Sequence, residues 1–197
     1  MRNCIVILNN ANLIGILNHG IKNADGSFGK VRIDYKALLD YVVDGRKLLS
    51  AYSVSQYDSN VHNNRPIEQQ QRNNKFFTML SNFGWTPLQV SFDIMSQDTS
   101  NTLNVLWDTV MSPYYAEDQK FTLDIENTDV VFITGSGSWF NIIQSFKDSG
   151  FNTQIAFTPK ATNKMMAYQH EFKDISRFLV EQHQKSLENA SVTTGKR

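Results

Sequence analysis

The alternation of apolar and polar positions sets out the elements of the chain. Cys4-Ile5-Val6-Ile7-Leu8 is an unbroken apolar run that ends in Asn9-Asn10-Ala11-Asn12, which predicts a strand buried on both faces of a parallel sheet and closed by a polar turn. Asp34 precedes Leu38, Tyr41 and Val42 at helical spacing and predicts an N-cap for a helix that ends near Gly45. Leu48 to Tyr57 reads as a second strand. From Asp58 to Asn74 the residues are almost purely Asn, Gln, Ser, Arg and His, broken by Val61, Pro66 and Ile67; this composition cannot build core and predicts a mobile loop or the exposed start of a helix.

The helix-then-strand order repeats. Phe76, Phe77, Leu80 and Phe83 form a stripe that stops at Gly84, and Leu88 to Phe92 alternates as a strand does. Leu103, Leu106, Trp107 and Val110 predict a helix running until Pro113. After an acidic connector from Tyr114 to Asp129, Val130 to Ile133 is a second strand buried on both faces, followed by Thr134-Gly135-Ser136-Gly137-Ser138. Phe140, Ile143 and Phe146 line a helix ending at Gly150, and Gln154 to Phe157 gives a last short strand. Met165, Tyr168, Phe172, Ile175 and Leu179 mark the strongest amphipathic helix, so residues 1–186 read as one domain and 187–197 as a polar tail. This order predicts an α/β fold, a Rossmann-like central parallel sheet of about five strands with helices on both faces. Its topological switch would bring Asn9 to Asn12 and Gly135 to Ser138 together.

Composition narrows the function classes. The chain has 197 residues, 41% of them hydrophobic, with 19 basic and 19 acidic side chains, so no global field draws it to nucleic acid or to an anionic membrane. The single Cys4 excludes an internal disulfide and a cysteine zinc site, and its apolar neighbours predict a buried thiol. No apolar stretch approaches the roughly 20 residues of a membrane span, so a cytoplasmic protein without a membrane partner is expected. His19, His62, His170 and His183 have neither metal-ligand spacing nor a paired nucleophile, and surface or capping roles are expected of them.

The strand ending in Asn9-Asn10-Ala11-Asn12-Leu13, the helix opened by Asp34, and the strand ending in Ile133-Thr134-Gly135-Ser136-Gly137-Ser138-Trp139-Phe140 resemble the NYN domains, LabA-like members of the PIN-like nucleases, over most of Cys4 to Phe157. The resemblance implies a PIN-like fold and an ancestral metal-dependent cleavage of RNA. In that family the first strand typically ends in Asp-Gly-Ala-Asn and the fourth in Ser-Gly-Asp-Ser-Asp-Phe, and the aspartates bind a divalent metal. Here the first aspartate position falls on Asn9 and the family asparagine on Asn12, while the paired aspartates fall on Ser136 and Ser138. On the helix before the fourth strand, where the family carries a further acid, this chain offers Thr102 or Asn104 and keeps only Asp108.

Hard cations such as Mg²⁺ or Mn²⁺ want anionic oxygens. A divalent ion forgoes on the order of 8 kcal/mol of gross attraction for each carboxylate removed, before solvation returns part of it. The resemblance therefore implies a catalytically degenerate domain without a cofactor, retained as an RNA-binding or regulatory module. Two alternatives stand beside it. One is an active Mg²⁺- or Mn²⁺-dependent endoribonuclease using relocated carboxylates, Asp34, Asp108 or Asp129, converging on Asn12. The other is a protein-interaction or self-associating module that uses the acidic connector or the Met165 to Leu179 face.

For RNA, Gly135, Ser136, Gly137 and Ser138 offer a backbone nest for phosphate, or an ordinary turn with Ser138 as N-cap. Asn12 would bond a phosphate, orient a neighbouring strand end, or hold its own backbone in an Asx turn. Arg65, Arg72 and Lys75, with Lys160 and Lys164, would rim the same mouth, and Trp139 or Tyr57 would stack on bases; the bland alternative is a solvated surface with core aromatics, its positive potential offset by Glu117, Asp118, Asp124, Glu126 and Asp129. Asn- and Gln-rich loops beside eroded motifs point to a rapidly diverged source such as a phage genome.

Overall fold

The computed structural model describes residues 1–19, 21–22, 28–29, 31–58, 66–92, 98–115 and 123–194. In chain order these form β1 (Asn3–Asn9), α1 (Asn10–His19), a hairpin of β2 (Ile21–Lys22) and β3 (Phe28–Gly29), α2 (Tyr35–Val43), β4 (Lys47–Tyr57), α3 (Ile67–Asn82) and β5 (Thr86–Ser91). There follow α4 (Ser100–Tyr115), β6 (Thr128–Ile133), α5 (Phe140–Asp148), β7 (Asn152–Phe157), α6 (Lys164–Gln169), β8 (Glu171–Asp174) and α7 (Ser176–Thr194).

The fold is α/β, built on a six-stranded sheet in the order β5-β4-β1-β6-β7-β8 with every neighbouring pair parallel. Its most apolar strands, β1 and β6, lie side by side at the centre and are buried from Cys4 to Asn9 and from Thr128 to Ile133. After β1 the chain builds outward through β4 to β5 and then returns to β6 on the other side, so the switch point lies between β1 and β6. Alternation along β4 separates the two faces: Ser53 and Ser55 meet Asn10 of α1, whereas Tyr52 and Gln56 meet Thr109 and Thr102 of α4. On the first face α2 contacts α3 through Tyr35 and Phe76 and α7 through Tyr41 and Phe178; on the second, Trp107 of α4 and Phe132 of β6 pack against Phe146 of α5.

Several local expectations hold for stated physical reasons. Asp34 caps α2, its carboxylate accepting the amides of Lys36 and Ala37 at 2.9 and 3.1 Å. Gly84 and Gly150 follow α3 and α5 with φ of 86° and 97°, the left-handed conformation that ends a helix at least cost in glycine. Cys4 is fully buried, and burial pushes its thiol pKa up to about 11.

Others are corrected. The sheet has six strands rather than about five, because the predicted Met165 to Leu179 helix is interrupted. Met165 and Tyr168 are 60% and 89% exposed, and Glu171–Asp174 leaves the helical path to pair with Gln154 to Phe157, whose edge would otherwise present unpaired backbone groups. α7 then runs to Thr194, through residues expected to trail off as tail. The asparagines after β1 form no turn; α1 starts at Asn10 directly after the strand. Pro113 lies inside α4 instead of ending it. A proline leaves the carbonyl four residues earlier without its helical donor, and here the Tyr52 hydroxyl reaches the Thr109 carbonyl at 3.4 Å. His170 and His183 are buried rather than at the surface; the His170 ring meets the Thr153 hydroxyl through Nδ1 at 2.8 Å and packs edge-on to Phe140. His62 lies outside the described residues, and the His19 side chain does too.

At the N-terminal end of the sheet one carboxylate gathers three partners. Asp129, its side chain 6% exposed, receives Arg2 at 2.6 Å, Arg46 at 3.0 Å and the Asn152 amide at 3.0 Å. Arg46 also donates to the last carbonyls of α2, Val42 and Val43, so one guanidinium ties that helix end to β6. Burial pushes the Asp129 carboxyl up, but the donors from Arg2, Asn152 and Arg46 outweigh it and hold it below the ordinary carboxylate range. Asp129→Ala, which removes the shared carboxylate of the exposed Arg2 and the half-buried Arg46, is expected to cost about 3 kcal/mol in urea unfolding at neutral pH. Because the folded value is depressed, Asp129 contributes its stability above the unfolded value of about 3.9, and the contribution disappears as pH falls through the folded value. The wild-type chain should therefore lose more stability than Asp129→Ala on acidification through that window.

Candidate functional site

At the C-terminal ends of β1 and β6 the structure brings together the two segments named from the sequence. Asn9 ends β1, and its side-chain oxygen accepts the amide of Asn12 at 3.2 Å, which makes Asn9 the cap of α1; its Nδ2 donates to the Thr134 hydroxyl at 3.3 Å. Asn12 in turn accepts two hydrogen bonds on Oδ1, from the Thr134 hydroxyl at 3.1 Å and from the Gly135 amide at 2.7 Å. Of the roles open to Asn12, it takes that of orienting a neighbouring strand end. Asn9 and Thr134 are 4% and 0% exposed, so these bonds form with little competition from water.

The loop after β6 is shaped by this staple. The Gly135 amide is taken by Asn12 and the Ser136 amide by the Thr134 hydroxyl at 3.2 Å, so two of the four amides of the expected phosphate nest are spent internally. Gly137 and Ser138 are exposed, and the Gly137 carbonyl accepts the Phe140 amide. Ser138 does not cap α5: its hydroxyl lies 2.8 Å from that of Ser136, and a short 3-10 turn, Gly137–Trp139, precedes the helix. Close approach requires glycine at 135 and leaves little room at 137. A Cβ on Gly135 would overlap the Ala161 carbonyl and the Phe157 ring, and one on Gly137 would sit 2.7 Å from the Asn163 amide nitrogen.

Beside this loop opens a cleft of about 460 Å³, walled by Asp98, Thr99 and Ser100 at the start of α4, by Gly137 and Ser138, and by Asn163 before α6. Its lining is rich in amides and hydroxyls. Its one acid, Asp98, accepts from the Ser100 hydroxyl and amide at 2.6 and 2.9 Å, bonds that hold its carboxyl below the ordinary range.

The remaining candidates lie on several different elements. Lys160 and Lys164 are exposed in the segment after β7 that adjoins Gly135, whose carbonyl accepts the Asn163 amide at 3.0 Å. Arg72 and Lys75 are exposed on α3, and Tyr57 ends β4, half-buried. Arg65 lies outside the described residues, as do Glu117 and Asp118. Trp139 is 0% exposed, so it is core and has no face to offer a base. Thr102 is buried and accepts from Gln56 at 2.9 Å, while Asn104 and Asp108 are exposed on α4.

The donor set does not fit a hard divalent cation. Asn9, Asn12, Ser136 and Ser138 are neutral, and the asparagine oxygens are already engaged with the backbone and Thr134. Of the relocated acids, Asp129 stands at the opposite end of β6, about 15 Å from its exit by strand rise, Asp34 caps α2, and Asp108 is exposed on α4. Among the described residues no group of three or more His, Cys, Asp or Glu side chains is placed to hold a metal.

What sequence reasoning missed is Asn10. Its side chain, 2% exposed, turns away from β6 toward β4, where Nδ2 lies 2.5 Å from the Ser53 hydroxyl and 3.1 Å from that of Ser55. Period-two spacing of Ser53 and Ser55 was the available signal, legible only once Asn10 was known to start a helix.

The staple makes two substitutions informative. Asn12→Ala leaves the buried Gly135 amide without an acceptor and is expected to cost about 1–3 kcal/mol by thermal or urea unfolding, with Asn12→Asp recovering most of it. Gly135→Ala should cost at least as much, because the obstacle includes a backbone carbonyl that cannot rotate away.

No protein-family model matches the chain, and no curated protein matches it. A crystal structure of a protein of unknown function from Vibrio parahaemolyticus superposes with a TM-score of 0.58 at 11% identity, over 89% of this chain and 93% of that one, so the architecture is shared across nearly the whole of both.

Proposed function

We propose that the chain is a non-hydrolytic NYN-like module that binds RNA across the C-terminal mouth of its sheet in a cytoplasmic setting. The observation that carries this reading is the neutral staple. Where the resemblance places metal carboxylates this chain has Asn9, Ser136 and Ser138, and Asn9 joins Asn12, at the family's asparagine position, and Thr134 in satisfying one another and the Gly135 amide. Hydroxide generation has no support in such a set, whereas amides, hydroxyls and nearby lysines suit phosphate and sugar contacts.

Charge placement supports the same reading. Lys160 and Lys164 flank the mouth, while Asp124, Glu126 and Asp129 of the acidic connector gather at the opposite end of β6. Asp129 lies about 15 Å along β6 from its exit, nearly twice the roughly 8 Å Debye length at physiological salt, and is paired with Arg2 and Arg46, so it does little to cancel the lysines' field. A second reading, self-association or a protein partner, draws on the exposure of Met165 and Tyr168 on α6.

Fluorescence anisotropy with single-stranded and hairpin RNA, repeated between about 50 and 200 mM salt, tests the proposal. Binding that weakens steeply with salt is expected, and Lys160→Ala with Lys164→Ala should flatten the log–log slope by about 0.7 per lost phosphate contact on single strands. Salt-insensitive or undetectable binding would sink it, as would Mn²⁺-dependent cutting above a preparation control.

A further inference from the structure

Separate from the cleft at Gly137, a cavity of about 200 Å³ opens on the other side of β1, between α1 and α3 at the C-terminal ends of β4 and β5. We propose that it is a base-binding subsite that takes one single-ring nucleobase. This rests on the RNA reading and names the part of RNA that the site would recognise.

Three features select the ligand. Its wall carries aromatic side chains, Phe76 and Phe77 from α3 and Tyr57 from β4, together with Ile14 of α1. Such surfaces hold a flat ring by stacking, and every base offers a π-face. The polar lining is amide and hydroxyl: Asn10, Ser55, Gln56, Asn73 and Gln89, with no ionisable side chain other than the Tyr57 phenol. A phosphate or carboxylate would find no countercharge there, whereas the amide-like edge of a base finds both donors and acceptors. The volume lies below the roughly 300 Å³ at which pockets for drug-sized ligands begin, which suits a pyrimidine.

Asn10 marks the floor of this cavity as made for something. One end of its amide is held by Ser53 and Ser55, and the other, Oδ1, is buried without a partner. Exchanging the oxygen and nitrogen of the amide does not remove the vacancy; it only changes an orphan acceptor into an orphan donor. A buried unpaired amide group is costly, and folded proteins keep few of them. The edge of a base entering between Phe76 and Ile14, with a small turn of the Asn10 side chain, would supply the missing partner. The two sites also fit one strand of RNA. Both open at the C-terminal edge of the sheet, where β4 and β6 lie two strand spacings, about 10 Å, apart, so an RNA strand crossing that edge from the face of Gly137 to the face of α1 and α3 would reach both.

The test is a set of NMR titrations on the full chain, with uridine and cytidine as free nucleosides and with a short pyrimidine strand and its abasic counterpart. Saturable shifts are expected at the amides of Asn10, Ser55, Gln56 and Phe77 with the nucleosides, and the normal strand should bind about tenfold tighter than the abasic one. Asn10→Ala should lower the nucleoside affinity about tenfold. Ile14→Trp, which fills the mouth from a 37% exposed position, should abolish it while thermal unfolding shows the fold retained. Equal binding of normal and abasic strands, with shifts confined to Gly137, Ser138 and the lysines, would overturn the subsite and leave the RNA reading standing. Nucleoside binding in the cavity with no affinity for either strand would support the heterocycle site and defeat the RNA reading. No shift with any ligand would overturn both.

Discussion

The structure turns on how two parallel strands that diverge in connectivity are held together at their exits. β1 and β6 pair along their length, but after Leu8 and Ile133 the chain leaves in opposite senses, into α1 and into a glycine-serine loop, and the backbone groups at the fork have no ladder to join. Asn12 supplies the missing acceptor for Gly135, Asn9 supplies one for Asn12, and Thr134 links the two. Buried polar groups at such a fork must be paired, and short amides do this without the desolvation cost of a buried carboxylate. The fork is thus a piece of neutral scaffolding, and the loop geometry that follows from it fixes where the cleft and the exposed residues Gly137 and Ser138 lie.

Charge is distributed in a matching way. The ionic cluster of Asp129, Arg2 and Arg46 sits at the N-terminal end of the sheet, where the guanidinium of Arg46 also closes the C-terminus of α2. The C-terminal end is furnished with amides and hydroxyls, and its lysines are at the periphery. The ion pairs of Asp129 and the exposed Lys160 and Lys164 thus lie toward opposite ends of the strands.

Much of this architecture was legible because its signals are local. Uninterrupted apolar runs at Cys4–Leu8 and Val130–Ile133 announce strands buried on both faces, Asp34 announces a helix start, and Gly84 and Gly150 announce stops. Their order implies a switch point, and so the meeting of Asn12 with Gly135. Signals that depend on partners misled. The stripe from Met165 to Leu179 has helical spacing, yet the unpaired edge of β7 recruits its middle as a strand. Pro113 should end a helix, yet a hydroxyl from β4 covers the carbonyl it orphans. Trp139 looks available to a base and is core, and Asn10 looks like loop and is the floor of a cavity. In each case the deciding neighbour is distant in sequence, which is the kind of information that periodicity does not carry.

The thiol of Cys4 has a practical corollary. It lies in the innermost strand with no accessible surface, and at neutral pH its raised pKa keeps it protonated. Alkylating reagents need the thiolate, so they meet it only when β1 parts from its neighbours. The rate at which this one sulfur becomes labelled is a built-in clock for opening of the central sheet, read without any engineered probe.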